Sequence, residues 1–410
     1  MKQSLLKFEK LLPKDAVAII SSNSLRRASY DQFYPFVPNK DLLYLTGITS
    51  QDCCLIVPGD GSQKILLLKK KDPHKALWDG HDDLAKLIAQ KLPVKIIEVD
   101  KITDHCFEYI KGFKELFYQP IEGTTSLQVA KTLLGLLGFE RRNYPQSITH
   151  LDVLMAPLRQ IKSPEDLEKV KKAIDITAAS LEEVSSQIHE EMSERFLADT
   201  IEYYFKAFGG SLAFSTIVAS GESASTLHHS PSTSRKINDN KLLLIDCGAS
   251  FNEYCADVTR TFSVAPEKTS QHLHDLYSIV LTAQQAAIEE VKDGVLIKKV
   301  YDAAAKELIT GLISLKVLKK APVQKIIQSG ALKEFFPHGI GHSLGLDTHD
   351  IGETRGNNEA VLKAGMVFTI EPGLYFQKPF GKIPRCGVRI EDNVYVTKKG
   401  CEVLTDMIPK

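Results

Sequence analysis

The chain has 410 residues, with 51 Lys and Arg against 51 Asp and Glu, and 43% hydrophobic residues. A zero balance argues against a nucleic-acid binder driven by bulk positive charge, and apolar runs such as residues 42–45 and 65–68 are far shorter than the roughly 18 residues a membrane span needs. The seven cysteines include no C-x-x-C pair; they fit free thiols in a reducing compartment, the cytoplasm, and exclude a disulfide scaffold.

The first segment, MKQSLLKFEKLLPK, alternates apolar residues with Lys and Glu and reads as a short amphipathic helix stopped by Pro13, not as a signal peptide. Strand-length apolar runs follow at 16–20, 53–57, 64–68 and 94–99, with helical spacing at 84–92 and 126–137. Residues 1–150 therefore predict an α/β domain with its own core. The polar RRNYPQ of 141–146 opens a boundary, and 151–162 is expected as a linker.

Ser163 starts a strongly signalled helix. It can cap, Pro164 suits the first helical position, and Asp166 completes a capping-box pattern. Val170, Ile174, Leu181, Val184 and Ile188 then recur at helical spacing. A second helix over 196–208 ends at Gly209 and Gly210. Strands are predicted at 215–219, 242–246 and 254–264, helices at 272–291 and 300–315, and closing strands at 366–375 and 388–397. Residues 163–410 thus predict an α+β domain built on antiparallel sheet, behind the smaller α/β domain.

Two segments of that domain place acids inside apolar strands. In LLLIDCGASFNEYCADVTRTFSV, a hairpin centred between Phe251 and Asn252 sets Asp246 directly opposite Asp257. In MVFTIEPGLYFQKPFGKIPRCGVRIEDNVYVT, a turn centred on Gly381 sets Glu371 opposite Glu391. Like charges facing across strands are destabilising unless compensated, and a cation is the simple compensation. A lone strand acid is usually a surface residue; two facing pairs in one domain are not the same case. A third segment, FFPHGIGHSLGLDTHD, clusters His338, His342 and His349 among glycines that disfavour a helix. His228 and His229 in TLHHSP are further candidates. With one or more imidazoles beside them, the four carboxylates would be neutralised by two divalent cations. This donor set suits Mn²⁺, Co²⁺ or Zn²⁺, of which Mn²⁺ is the one expected, and two such ions can bridge and activate one water.

The stretches IDCGASFNEYCADVTRTF, HGIGHSLGLDTHD, TIEPGLY and GVRIEDN, in that order and spacing, resemble the pita-bread metallopeptidases, which include methionine aminopeptidase, prolidase and aminopeptidase P. The resemblance implies that residues 163–410 adopt the pita-bread fold and that Asp246, Asp257, His342, Glu371 and Glu391 are the metal ligands. It implies that His228, His338 and His349 line the substrate site, that Glu371 shuttles protons and that Arg389 is the site arginine. YPFVPNKDLLYLTGI, CCLIVPGDG and LWDG look like the N-terminal domain of the aminopeptidase P group. Since that domain often reaches a neighbouring subunit's active site, the resemblance implies a homo-oligomer, a dimer or tetramer, with Trp78 lining such a site. Thr259 shares a strand face with Asp257 and is expected to hydrogen-bond a ligand carboxylate. His229 departs from the family, where a Tyr is common, and LWDGHDD lacks the arginines that often follow the Trp. Both departures bear on side-chain preference.

The expected activity is a two-metal aminopeptidase that cleaves before Pro at the second position of a peptide through a hydroxide bridging the metals, with no nucleic acid or membrane as partner. Prolidase, the same chemistry on dipeptides, is the alternative. A non-catalytic pita-bread binding protein is the further one.

Overall fold

The apolar runs of the first 150 residues become strands of one six-stranded sheet, ordered Lys95–Val99, Ile65–Lys69, Cys53–Pro58, Ala16–Ser21, Glu115–Tyr118, Ser147–His150. Its three central strands pair antiparallel and the outer ones join in parallel. The protein, a computed structural model, is described for residues 3–70, 74, 77–78, 83–120, 130–131, 135, 143–352 and 359–410. It divides into two units, Met1–Arg159 and Gln160–Lys410. A helix, Asp152–Gln160, lies within the stretch expected as a linker. The helix expected over 126–137 falls almost wholly outside the described residues. The strands Glu115–Tyr118 and Ser147–His150 were not anticipated; at four residues each, they carry too little pattern to announce themselves.

The N-terminal unit has a self-contained core of Val17, Ile19, Ile56, Leu67, Leu116 and their neighbours. Its first helix, Gln3–Leu11, buries Leu5 and Phe8. All seven cysteines are free, and the thiols of Cys54 and Cys106 meet at 3.7 Å inside this core.

In the second unit, the helix Pro164–Ser185 begins with the anticipated capping box between Ser163 and Asp166. The next helix, Glu194–Ala207, is capped by Ser193 and ends before Gly209, whose φ of 84° suits only a residue without a Cβ. These two helices bury Ile176, Val184, Leu197 and Ile201 against Leu243, Ile245 and Cys247. The helices Gln271–Glu289 and Ile297–Ser314 cover the strands of the C-terminal part. Residues of odd number on Leu242–Cys247 therefore face helices, and strand alternation turns Leu244 and Asp246 to the other side. Among the described residues, no helix is long and apolar enough to cross a membrane.

Candidate metal centre

Each acidic segment folds as a hairpin. In the first, Leu242–Cys247 pairs antiparallel with Val258–Ser263. Its turn lies one residue later than the sequence suggested, at Asn252 and Glu253, both with positive φ, 48° and 70°. Asn tolerates that conformation and Glu rarely does, so the sequence does not advertise the turn. The consequence is a correction: Asp246 faces Thr259, not Asp257. The displacement of the pairing is two residues, so both acids still share one face, as diagonal neighbours.

The second hairpin keeps the expected register. Gly373 pairs with Arg389 and Ile370 with Asp392, which leaves Glu371 across from Glu391 at the break between the two ladders. Gly381, at the tip, has a φ of 57°. The backbone of Glu391 joins the hairpins by donating to the carbonyl of Thr259 at 3.0 Å.

The histidine segment lies along the strand Val367–Ile370. Thr369 N donates to His342 O at 2.9 Å and Glu371 N donates to Ile340 O at 2.8 Å. This approach requires Gly341, because a Cβ there would lie 1.8 Å from the carbonyl oxygen of Thr369. One ring nitrogen of His342, Nδ1, lies 3.2 Å from the carbonyl of Ser343 and donates to it, since a carbonyl only accepts. The other, Nε2, points into the acids, 3.5 Å from Asp257 Oδ2 and 3.4 Å from Glu371 Oε1. Asp257, His342 and Glu391 each offer a ligand atom within 4.8 Å of the others. Asp246 Oδ1 and Glu391 Oε1 are buried and accept no hydrogen bond. Orphaned buried carboxylate oxygens beside an imidazole nitrogen turned toward them are the donor set a divalent cation fits.

Hydrogen bonds from neighbouring side chains support this floor. Arg389 donates through Nη2 to Asp246 Oδ2 at 2.5 Å, through Nε to Thr259 Oγ1 at 3.0 Å and through Nη1 to the Tyr375 hydroxyl at 2.9 Å. The Thr259 hydroxyl in turn donates a hydrogen bond to Glu391 Oε2 at 2.7 Å. Tyr375, having accepted from Arg389, donates to His338 Nε2 at 3.0 Å, which places the His338 proton on Nδ1, against the carbonyl of Gly339 at 2.9 Å. Thr369 Oγ1 accepts from His342 N and donates to Glu371 Oε1 at 3.2 Å. Asn393 holds the backbone of Asp257 through both its amide and its carbonyl.

The electrostatics separate the acids. Burial, then the charges of Asp246 and Glu371, raise Asp257 well above the ordinary carboxylate range. Burial, then Asp257 and Glu371, do the same to Glu391. Burial also raises Asp246, against the opposing charge of Arg389. Glu371 goes the other way: burial would raise it, but His342, His338, Arg389 and the Thr369 hydrogen bond together hold it below its usual value. Burial lowers the pKa of His338 and pushes Tyr375 up to about 12, so both are neutral near pH 7.

The expected site residues distribute as follows. Asp246, Asp257, His342, Glu371, Glu391, Thr259, Arg389 and His338 form one connected cluster. His349 is exposed beside it, its ring centroid 4.2 Å from that of His342. His228 is exposed and near enough for its charge to act on His338. Trp78 belongs to the N-terminal unit, where it is exposed. Tyr375 and Thr369 were missed. Thr369 lies two residues before Glu371, so the parity argument that picks out Thr259 reaches it as well.

Comparison with known proteins follows the same division. Residues 168–398 match Metallopeptidase family M24 and residues 2–118 match the aminopeptidase P N-terminal domain. A Xaa-Pro aminopeptidase of Haemophilus influenzae is 29% identical over 412 residues, covering 98% of this chain and 93% of the relative. The solved proline aminopeptidase P II from Yersinia pestis superposes with a TM-score of 0.90 at 27% identity, covering 100% of this chain and 96% of that one. Zinc-substituted aminopeptidase P of Escherichia coli, in complex with product, gives 0.88 at 27% identity, with 100% and 94% covered.

Proposed function

The chain belongs to metallopeptidase family M24, with the N-terminal domain of aminopeptidase P, and from that premise we propose that it is a metal-dependent Xaa-Pro aminopeptidase. The observation that carries the site is the pair of orphaned buried oxygens on Asp246 and Glu391, with His342 and Asp257 offering ligand atoms within 4.8 Å of one on Glu391. Asp246, Asp257, His342, Glu371 and Glu391 would hold two divalent cations, manganese first. When bound, such ions supply Lewis acidity toward the scissile carbonyl and toward the attacking water.

The residues themselves have separate tasks. Glu371 is held ionised at neutral pH, so it can take a proton from the attacking water and return it to the departing Pro nitrogen. His349 and His228, exposed at the edge of the cluster, are placed to donate to substrate carbonyl oxygens. His338 has both ring nitrogens engaged, by Tyr375 and by Gly339, so its task is to form a wall and orient Tyr375. Arg389 is likewise spent on Asp246, Thr259 and Tyr375 and is not free to clamp a substrate carboxylate. Arg385, whose Nε donates to Ser225 Oγ at 2.9 Å, is half-exposed; Arg355 lies outside the described residues.

That engagement of Arg389 favours a site open to chains longer than a dipeptide. The scissile Pro nitrogen carries no N–H, so the pocket has no donor to satisfy there. Seven free thiols suit a cytoplasmic setting, and a homo-oligomer is part of the same proposal. The test compares kcat/KM of the metal-loaded protein on a Xaa-Pro dipeptide with that on the same sequence extended by one or more residues. Faster turnover of the extended peptide, with a free amino terminus required, is expected. Turnover of the dipeptide alone makes the protein a prolidase.

A further inference from the structure

Glu194 is the first residue of the helix Glu194–Ala207, yet its side chain is only 1% exposed. Outside its own helix, its hydrogen bonds go to one stretch of chain. Its Oε1 accepts from Ser220 N at 2.9 Å, its Oε2 meets His229 Nε2 at 2.8 Å, and its backbone N donates to Arg235 O at 3.1 Å. These are the start, the middle and the end of the stretch 220–235. The flanks are pinned independently: Asn238 N donates to Ser220 Oγ at 3.0 Å, and Ser193 bridges to Lys236. Between Ser220 and Arg235, the side-chain to side-chain tie from Glu194 falls on His229. The residue before it is His228, exposed and within electrostatic reach of His338.

A carboxylate that is buried in this way is costly unless it is paired. Here Ser220 N serves one oxygen and an imidazole on the loop serves the other, so desolvation of Glu194 is fully compensated only when the loop carries His229 inward. The adjacent peptide then fixes where His228 begins. Neither Glu194 nor His229 is within the group of acids and His342 that would hold metal.

We infer that Glu194 is a positioning residue for the reaction, holding His228 against the substrate through its pair with His229. The inference rests on the assignment of His228 to substrate contact. Misplacement of a contacting group by about 1 Å costs on the order of 10²-fold in rate.

The experiment is a double-mutant cycle on the metal-loaded protein with a Xaa-Pro-Xaa tripeptide. Glu194→Gln and His229→Leu are each expected to lower kcat more than they raise KM, by roughly ten- to a hundredfold, with bound metal per chain unchanged by elemental analysis. In a His228→Ala background, both are expected to cost nothing further. His229→Gln, which can still donate to Glu194, is expected to recover most of the rate; it also covers the case in which Glu194→Gln fails to fold. Full additivity with His228→Ala would overturn the inference, as would wild-type kcat in folded Glu194→Gln and His229→Leu. Wild-type kinetics in His228→Ala itself would instead remove the assignment of His228, and a wild type inert on the tripeptide would remove the peptidase reading.

Discussion

Glu391 and Asp392 are adjacent, equally buried and oppositely treated. Strand alternation sends one toward the metal centre and the other to the far side. Asp392, fully buried, receives Arg260 Nη2 at 2.9 Å, Lys410 Nζ at 2.5 Å, Gln284 Nε2 at 2.6 Å and Thr405 Oγ1 at 2.7 Å. Burial would raise its pKa, but these partners, Arg260 foremost, bring it below the usual range. Glu391 receives Thr259 on one oxygen and nothing on the other, and its pKa is driven well up. Thr259 and Arg260 repeat the contrast on the neighbouring strand: the threonine faces the acids, and the arginine faces Asp392 and the carbonyls of Thr405 and Ile408. Burial of charge alone therefore does not mark a site. An acid whose partners all come from the chain is structural. An acid left short of partners awaits a cation from outside.

The largest effect should come from withholding that cation. Chelation is expected to abolish peptidase activity, and Mn²⁺ or Co²⁺ to restore it; full activity in verified metal-free protein would refute the site. Asp257→Asn should lose metal by elemental analysis yet melt no lower than wild type in chelator, since it removes one of the mutually repelling charges. Among the imidazoles, His342→Ala should also lose metal, whereas His338→Ala should keep it.

The partnered side should behave in the reverse manner. Arg260→Met leaves Asp392 buried with fewer partners and should cost about 3–5 kcal/mol of stability by denaturant unfolding, with or without metal. If Arg260→Met and Asp257→Asn gave the same unfolding free energies in chelator, the distinction between the two faces would fall.

Much of this was legible in the sequence because both hairpins carry their acids in apolar strands. Gly381 announces its own turn, so the facing of Glu371 and Glu391 could be placed from residue numbers alone. Asn252–Glu253 is a poor turn signal, and the first pairing came out displaced. The shared face of Asp246 and Asp257 survived because the displacement was even. What the sequence concealed was the partnering. Nothing local to Arg260, Asp392 or Glu194 tells a surface charge from a buried one, because, the carbonyl of Thr259 beside Arg260 apart, their side chains find partners between 13 and 149 residues away. The role of Tyr375 was hidden for the same reason: its hydroxyl matters only once Arg389 and His338 are both beside it.

The smallest and most discriminating effect is on pH dependence. Asp246, Asp257 and Glu391 have native pKa values raised, chiefly by burial. A carboxyl with a raised native pKa binds its proton more tightly folded than unfolded. Its contribution to stability is fully present below the unfolded value, about 4, and is lost as pH rises through the native value. Glu371 and Asp392 are depressed, so their contributions are present above the unfolded value and lost only as pH falls toward the acid end. Above the unfolded carboxyl value, then, the raised group should dominate, and metal-free protein should melt at falling temperature as pH rises. Bound cations replace those protons, and binding releases them. The gap between the melting temperatures in saturating Mn²⁺ and in chelator should therefore widen across that range, by several degrees. In Asp257→Asn, with one raised carboxyl removed, the chelator curve should flatten. A gap of constant width in the wild type would mean that the site's acids are already as well partnered as Asp392, and the contrast between the two faces would have no energetic content.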